Sequence, residues 1–124
     1  MKKLSNGYLD TLWSKAVKTK WNHCCALCFA TEGLESHHVV HRRRSWVLRW
    51  EIKNGVALCH KCHSLADTIN YMDRIRGIVE WDWLGDMQVL YPVKYDYLLA
   101  NNITEEEYRK ARADELRGII NGEK

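Results

Sequence analysis

Four cysteines in two Cys-x-x-Cys pairs have the most specific chemical spacing in this chain of 124 residues. Cys25 and Cys28 form the first pair, and Cys59 and Cys62 form the second. Two thiolates two residues apart can converge on one ion from a tight turn, and two such pairs are typical of a four-thiolate zinc site. The spacing therefore predicts a structural Zn²⁺ that ties the start of the domain to the residues after Cys59.

The fifth cysteine leaves a choice of ligands open. Cys24 could replace Cys25, but the symmetrical spacing of the two pairs favours Cys25, and Cys24 is then a small packed thiol. His23 is a less favoured alternative ligand. A different interpretation makes Cys25 and Cys28 a redox pair, which stoichiometric zinc without thiol reactivity would exclude.

Histidines and one asparagine lie beside the cysteine pairs. His37 and His38 are adjacent, Asn54 follows a basic segment, and His63 comes directly after the last cysteine. A neutral imidazole can take a proton from water near pH 7, and other imidazoles can hold a divalent cation. Residues 37–63 therefore predict a second, working metal site beside a base.

The segment SHHVVHR, followed by the run NGVALCHKCH that ends at His63, resembles the HNH endonucleases of the ββα-metal group, in the variety with a structural four-cysteine zinc. The resemblance covers residues 25–65. It implies that His37 and His63 bind the catalytic ion, that His38 is the general base, and that Asn54 braces the loop and helps orient the base. It also implies products with 5′-phosphate and 3′-hydroxyl ends. A narrower similarity is to phage recombination endonucleases that act on branched DNA.

Two features of the histidine pair lead to further expectations. Two imidazole ligands make a softer site than Mg²⁺ prefers, so Mn²⁺, Co²⁺ or Ni²⁺ should support activity at least as well as Mg²⁺. Neighbouring residues on a regular strand face opposite ways. The strand should therefore end or distort at His37 and His38, with His37 turned toward the helix that bears His63.

Positive charge is concentrated around the histidines, although the net charge of the chain is only +3. Beside a phosphate-cleaving site, contact with the DNA backbone is the favoured role for this charge. The alternative function is a zinc-stabilised module that binds DNA without cutting it. Trp46 and Trp50 could stack on exposed bases, but core packing is favoured. The residues predicted to contact DNA are His41, Arg42, Arg43, Arg44 and Arg49.

The pattern of apolar residues predicts an α+β fold in a single domain, 1–124, with N- and C-terminal helices that flank a ββα-metal core at 22–78; residues 79–124 form a C-terminal helical extension. We expect a helix over 8–20, a strand over 34–40, and a returning strand from 47–52 and 56–58 around an Asn54-Gly55 turn. A helix should run from His60 to Val79, and another from Thr104, with Glu107 reaching back, to Asn121-Gly122.

The cellular setting is predicted from what the sequence lacks. It contains no apolar run long enough for a membrane span and no signal peptide, which together with the free thiols indicates the cytoplasm of a bacterial or phage-infected host cell. The expected partner is DNA, with no membrane. Both a monomer and a homodimer are open.

Overall fold

The computed structural model describes residues 4–122, and within that range the protein has a mixed α+β fold, as predicted. Two antiparallel strands, β1 (Leu34–His38) and β2 (Gly55–Cys59), form a hairpin with Leu34 opposite Cys59 and His38 opposite Gly55. A short 3-10 helix, Ile52–Asn54, leads into β2. The helices are α1 (Asn6–Lys20), α2 (His60–Ser64), α3 (Ile69–Ile78), α4 (Trp81–Leu90), α5 (Lys94–Ala100) and α6 (Glu105–Ile120).

Helix α1 packs on the hairpin through an apolar stripe. It begins earlier than expected because the Ser5 hydroxyl accepts a hydrogen bond from the backbone N–H of Tyr8, which satisfies one of the free donors of the first turn. The stripe lies at three- and four-residue spacing, so its members share one helix face. The buried members are Leu9, Leu12, Trp13, Ala16 and Val17.

Helix α6 packs against α1 and holds the loop that precedes β2. Thr104 and Glu107 form the predicted reciprocal cap at its start. The Tyr108 hydroxyl donates a hydrogen bond to the carbonyl of Val47, and Arg112 pairs with Glu51. The C-terminal extension therefore fixes both ends of the loop over residues 47–51.

The predicted strand over 47–52 is wrong, and so is the predicted turn at Asn54-Gly55. Residues 46–50 form turns, and β2 pairs with β1 instead. Gly55 has an ordinary φ of −122° rather than a turn conformation. A Cβ at this position would lie 2.3 Å from Cγ2 of Val17 and 2.8 Å from Cζ2 of Trp13. Glycine is required because α1 approaches the backbone closely here.

The predicted continuous helix from His60 to Val79 is also wrong, because the chain breaks between α2 and α3. The Thr68 hydroxyl donates to the carbonyl of Leu65, and this local bond competes with the helical pattern. The break changes the face that the later residues present. Ile69, the first residue of α3, has 76% of its surface exposed.

The buried apolar residues form three clusters. The first joins α1 and α6 around Trp50, which is fully buried, so the favoured core role of this residue is confirmed. The second surrounds the cysteine pairs with Val56, Leu58 and Ile75. The third places Leu84 of α4 against the loop after β1. Within residues 4–122, no helix has the length and hydropathy that a membrane crossing requires.

Candidate functional site

The sulfur atoms of Cys25, Cys28, Cys59 and Cys62 lie within 4.8 Å of one another. The Sγ atoms of Cys28 and Cys59 are 3.6 Å apart. A tetrahedral ion with bonds of about 2.3 Å to sulfur places its ligands roughly 3.8 Å from each other. The four thiols can therefore hold a metal such as zinc. Cys24 lies outside this cluster, with its thiol directed at the carbonyl of Asn22.

The backbone around the first pair is shaped to present these thiols. The N–H of Ala26 donates to the carbonyl of Ala57, which attaches this loop to β2, and Phe29 adopts a left-handed φ of 66°. The second pair begins α2, where the Cys59 sulfur caps the N–H of Cys62. Burial alone would raise the pKa of Cys25, but backbone hydrogen bonds lower it to about 6. A thiolate, the form that binds metals, is favoured there.

Between β1 and α2, His63 contacts both Glu35 and His37. Residues 35 and 37 share one face of β1 because side chains alternate along a strand. The ring centroids of His37 and His63 are 5.2 Å apart, with an angle of 71° between the rings. An ion about 2.1 Å from one nitrogen of each ring separates two imidazole centroids by on the order of 5 Å. The spacing of these rings therefore fits a shared ion.

The surroundings of these rings also suit a metal site. Burial, together with the neighbouring charge of His63, lowers the pKa of His37 to about 4, so this ring is neutral at pH 7. Oε1 of Glu35 lies 2.5 Å from Nδ1 of His63. A carboxylate accepts hydrogen bonds, so Nδ1 of His63 carries a proton and Nε2 is the ring nitrogen that a metal could bind. Sequence reasoning missed Glu35; its position two residues before His37 on the strand was the available signal.

His38 faces the other side of β1, toward α1. Its ring stacks on Trp13 with centroids 3.8 Å apart and planes within 8°. Nε2 lies 2.9 Å from the carbonyl oxygen of Arg49, so the neutral ring keeps its lone pair on Nδ1. Burial lowers the pKa of His38, against the opposing effects of this carbonyl and of Asp10. The strand ends at His38, as expected, but it is not distorted there, so the side chains of His37 and His38 face opposite sides of β1. His37 faces His63, as expected.

Asn54 closes the loop that follows His38. Its side chain is fully buried and makes three hydrogen bonds. Oδ1 accepts from the N–H of Val40 at 2.7 Å, and Nδ2 donates to the carbonyls of Val40 and Leu48 at 2.9 and 3.0 Å. Leu48 directly precedes Arg49, whose carbonyl oxygen contacts Nε2 of His38. An asparagine suits this position because it donates and accepts at once, whereas aspartate at neutral pH only accepts.

Asp10 of α1 is a second residue that sequence reasoning missed. Its carboxylate accepts two hydrogen bonds from Arg49, at 3.0 and 2.8 Å, and one from Nε1 of Trp50 at 2.8 Å. Burial would raise the pKa of Asp10, yet these hydrogen bonds and the charge of Arg42 lower it. Asp10 thus holds Arg49, the residue whose carbonyl oxygen contacts the His38 ring. Its distance in sequence from Arg49 left no local signal.

The residues predicted to contact DNA divide into two groups. Arg49 is held by Asp10, and Arg42 makes a longer ion pair with the same carboxylate at 3.3 Å. His41, Arg43 and Arg44 are exposed in the turn after β1. In the described part of the chain, no acidic partner is found for Arg43 or Arg44. These two guanidinium groups lie within six residues of His38 and are exposed to solvent.

The structure thus brings together the four thiols and, separately, His37 with His63. The His38 ring faces α1, and the Asn54 side chain closes the loop that follows β1. Comparisons with protein families, with curated proteins and with solved structures found no match.

Proposed function

We propose that this protein is a metal-dependent DNA endonuclease of the HNH type, with a structural zinc held by the four cysteines. The observation that carries the proposal is the pairing of His37 and His63 at 5.2 Å, next in sequence to the oriented imidazole of His38. A half-buried histidine that burial keeps neutral lies against a second histidine whose Nδ1 contacts a carboxylate, a setting common to metal-binding imidazoles. The arrangement suits a divalent ion.

The chemistry that follows is phosphodiester hydrolysis. A divalent ion at His37 and His63 would polarise the phosphate and stabilise the departing 3′ oxygen. His38 accepts a proton from water, whose oxygen attacks phosphorus as the bond to the 3′ oxygen breaks. The 3′ oxygen takes up a proton from solvent, so the products are a 5′-phosphate and a 3′-hydroxyl. The stack on Trp13 and the bond to Arg49 hold the base ring in one orientation.

DNA is the proposed partner because the exposed charge suits a phosphate backbone. Arg43 and Arg44 extend from the turn that follows the histidine strand. Guanidinium groups make bidentate contacts with phosphate, which give affinity and salt sensitivity rather than sequence choice. Arg42 and Arg49 would contribute mainly through the loop that they brace with Asp10.

Supercoiled plasmid tests this function. We expect the native protein to convert it to nicked circles with Mn²⁺, Co²⁺ or Ni²⁺ at least as fast as with Mg²⁺. His63→Ala should lower the rate roughly 100-fold or more, because a catalytic ion contributes several kcal/mol to the barrier. The measurement is the first-order rate of nicking on agarose gels.

His60→Ala is the matched control, since His60 lies on the same helix with 84% of its side chain exposed. This variant should nick at the native rate. Strict dependence on Mg²⁺ would contradict the soft-ligand argument. Equal nicking by His63→Ala and native protein would show that the cutting activity belongs elsewhere.

A second candidate function is a zinc-stabilised module that binds DNA without cutting it. One observation favours it, because His37 and His38 face opposite sides of β1, which separates the base from the paired rings. Tight, salt-sensitive DNA binding with no nicking under any divalent ion would select this function.

A further inference from the structure

Glu35 contacts one of the two paired histidines, His63, through its carboxylate. It lies on the same face of β1 as His37, and its carboxylate contacts α2 through His63. Ser36, on the opposite face, binds Ser14 of α1 instead. Ser36 and His38 therefore contact α1, whereas Glu35 and His37 face α2.

The contact between Glu35 and His63 determines which nitrogen of the ring is free. With Nδ1–H donated to the carboxylate, the lone pair of the neutral ring is confined to Nε2. Without that acceptor, the neutral ring could exchange tautomers and rotate about its side-chain bonds. Histidines that bind metals commonly donate their other N–H to a carboxylate, which fixes the ring and raises its basicity.

The other contact of Glu35 is weaker and does not explain its position. Oε2 lies 3.4 Å from Nδ1 of His60, which is exposed to solvent, so this pair contributes little. The contact of Glu35 with Nδ1 of His63 is much shorter, at 2.5 Å, so the carboxylate is held chiefly by His63.

We propose that Glu35 is a positioning residue for the divalent ion: it orients His63 and fixes the tautomer that presents Nε2 to the metal. This role rests on the proposed function. Glu35 does not need to touch the ion or the DNA, and it acts only through the ring that it holds. Its loss should weaken metal binding without disturbing the fold, because the side chain is 43% exposed.

The test measures Mn²⁺ affinity on the zinc-loaded full-length protein, with free Mn²⁺ followed by its electron paramagnetic resonance signal. Glu35→Ala should bind Mn²⁺ about 10–100-fold more weakly than native protein, the usual cost of losing such a partner. Glu35→Gln keeps an acceptor oxygen and should recover part of that loss. Zinc content and a urea unfolding curve should match those of native protein in each variant.

Two variants separate this role from simpler effects. Glu32→Ala removes a nearby exposed carboxylate and should leave Mn²⁺ affinity unchanged, which excludes a general loss of negative charge. His60→Ala removes the weaker partner and should also have no effect. A Glu35→Ala variant that binds Mn²⁺ as tightly as native protein overturns the positioning role alone. A native protein that binds no ion beyond its zinc overturns the proposed metal site itself, and this role with it.

Discussion

Removing the metal from the four-cysteine cluster is expected to unfold the protein. The cluster joins the loop after α1 to the start of α2, and a separate apolar cluster of Val56, Leu58, Ala66 and Ile75 packs around the same sulfurs. Structural zinc contributes on the order of 10–16 kcal/mol in small domains, as much as the about 5–15 kcal/mol by which whole domains are stable. Chelation should therefore abolish the cooperative urea transition followed by tryptophan fluorescence.

The five cysteines supply a matched pair of variants for this prediction. Cys25→Ser removes a buried thiol of the cluster, and Cys24→Ser removes its neighbour, which points away toward the carbonyl of Asn22. We expect Cys25→Ser to lose zinc and the folded state, whereas Cys24→Ser keeps one equivalent of zinc and the native unfolding midpoint. A chelated protein with an unchanged transition would show that the thiols are not a structural metal site.

Substitution of His38 should have the largest effect on DNA cleavage among changes that leave both ions bound. General-base catalysis contributes about 10²–10⁴-fold, so His38→Ala should slow plasmid nicking by that factor. The proposed ligands, His37 and His63, lie on the side of β1 away from the His38 ring, so Mn²⁺ affinity should be retained. Nicking rates at saturating Mn²⁺, measured beside Mn²⁺ affinity, separate loss of the base from loss of the ion.

The ring of His38 also packs on Trp13, so folding must be followed in the same variants. His38→Gln retains a polar side chain that can donate to the Arg49 carbonyl, and it should fold as native protein does while remaining as slow as His38→Ala. Native nicking rates in both variants would show that His38 is not the base, and would move attention to exposed His41.

Local spacing was enough to predict the parts of the fold that are held by neighbours in sequence. The stripe on α1, the reciprocal cap between Thr104 and Glu107, and the grouping of Cys25 rather than Cys24 all follow from periods of three to four residues. Such signals survive because helix faces and Cys-x-x-Cys turns are defined within one or two turns of chain.

Other features depend on contacts between distant segments, and the sequence alone did not reveal them. Gly55 reads as a hairpin turn after Asn54, but it is required by the approach of α1. Asp10 reads as an isolated acid on a lysine-bearing helix, although it holds Arg49 from the far side of the loop. Glu35 contacts His63 only because α2 packs against β1, which joins residues 28 positions apart in sequence. Tertiary packing assigns these roles; the only local signal was that Glu35 and His37, two residues apart, share one face of a strand.

Anomalous diffraction from crystals grown with Zn²⁺ and Mn²⁺, collected at the absorption edge of each metal, tests the central claim most directly. We predict a zinc peak among the sulfurs of Cys25, Cys28, Cys59 and Cys62, and a separate manganese peak in contact with His37 and His63. Manganese bound only at other carboxylates, with no density between the two histidine rings, would contradict the assignment of a catalytic ion to this site.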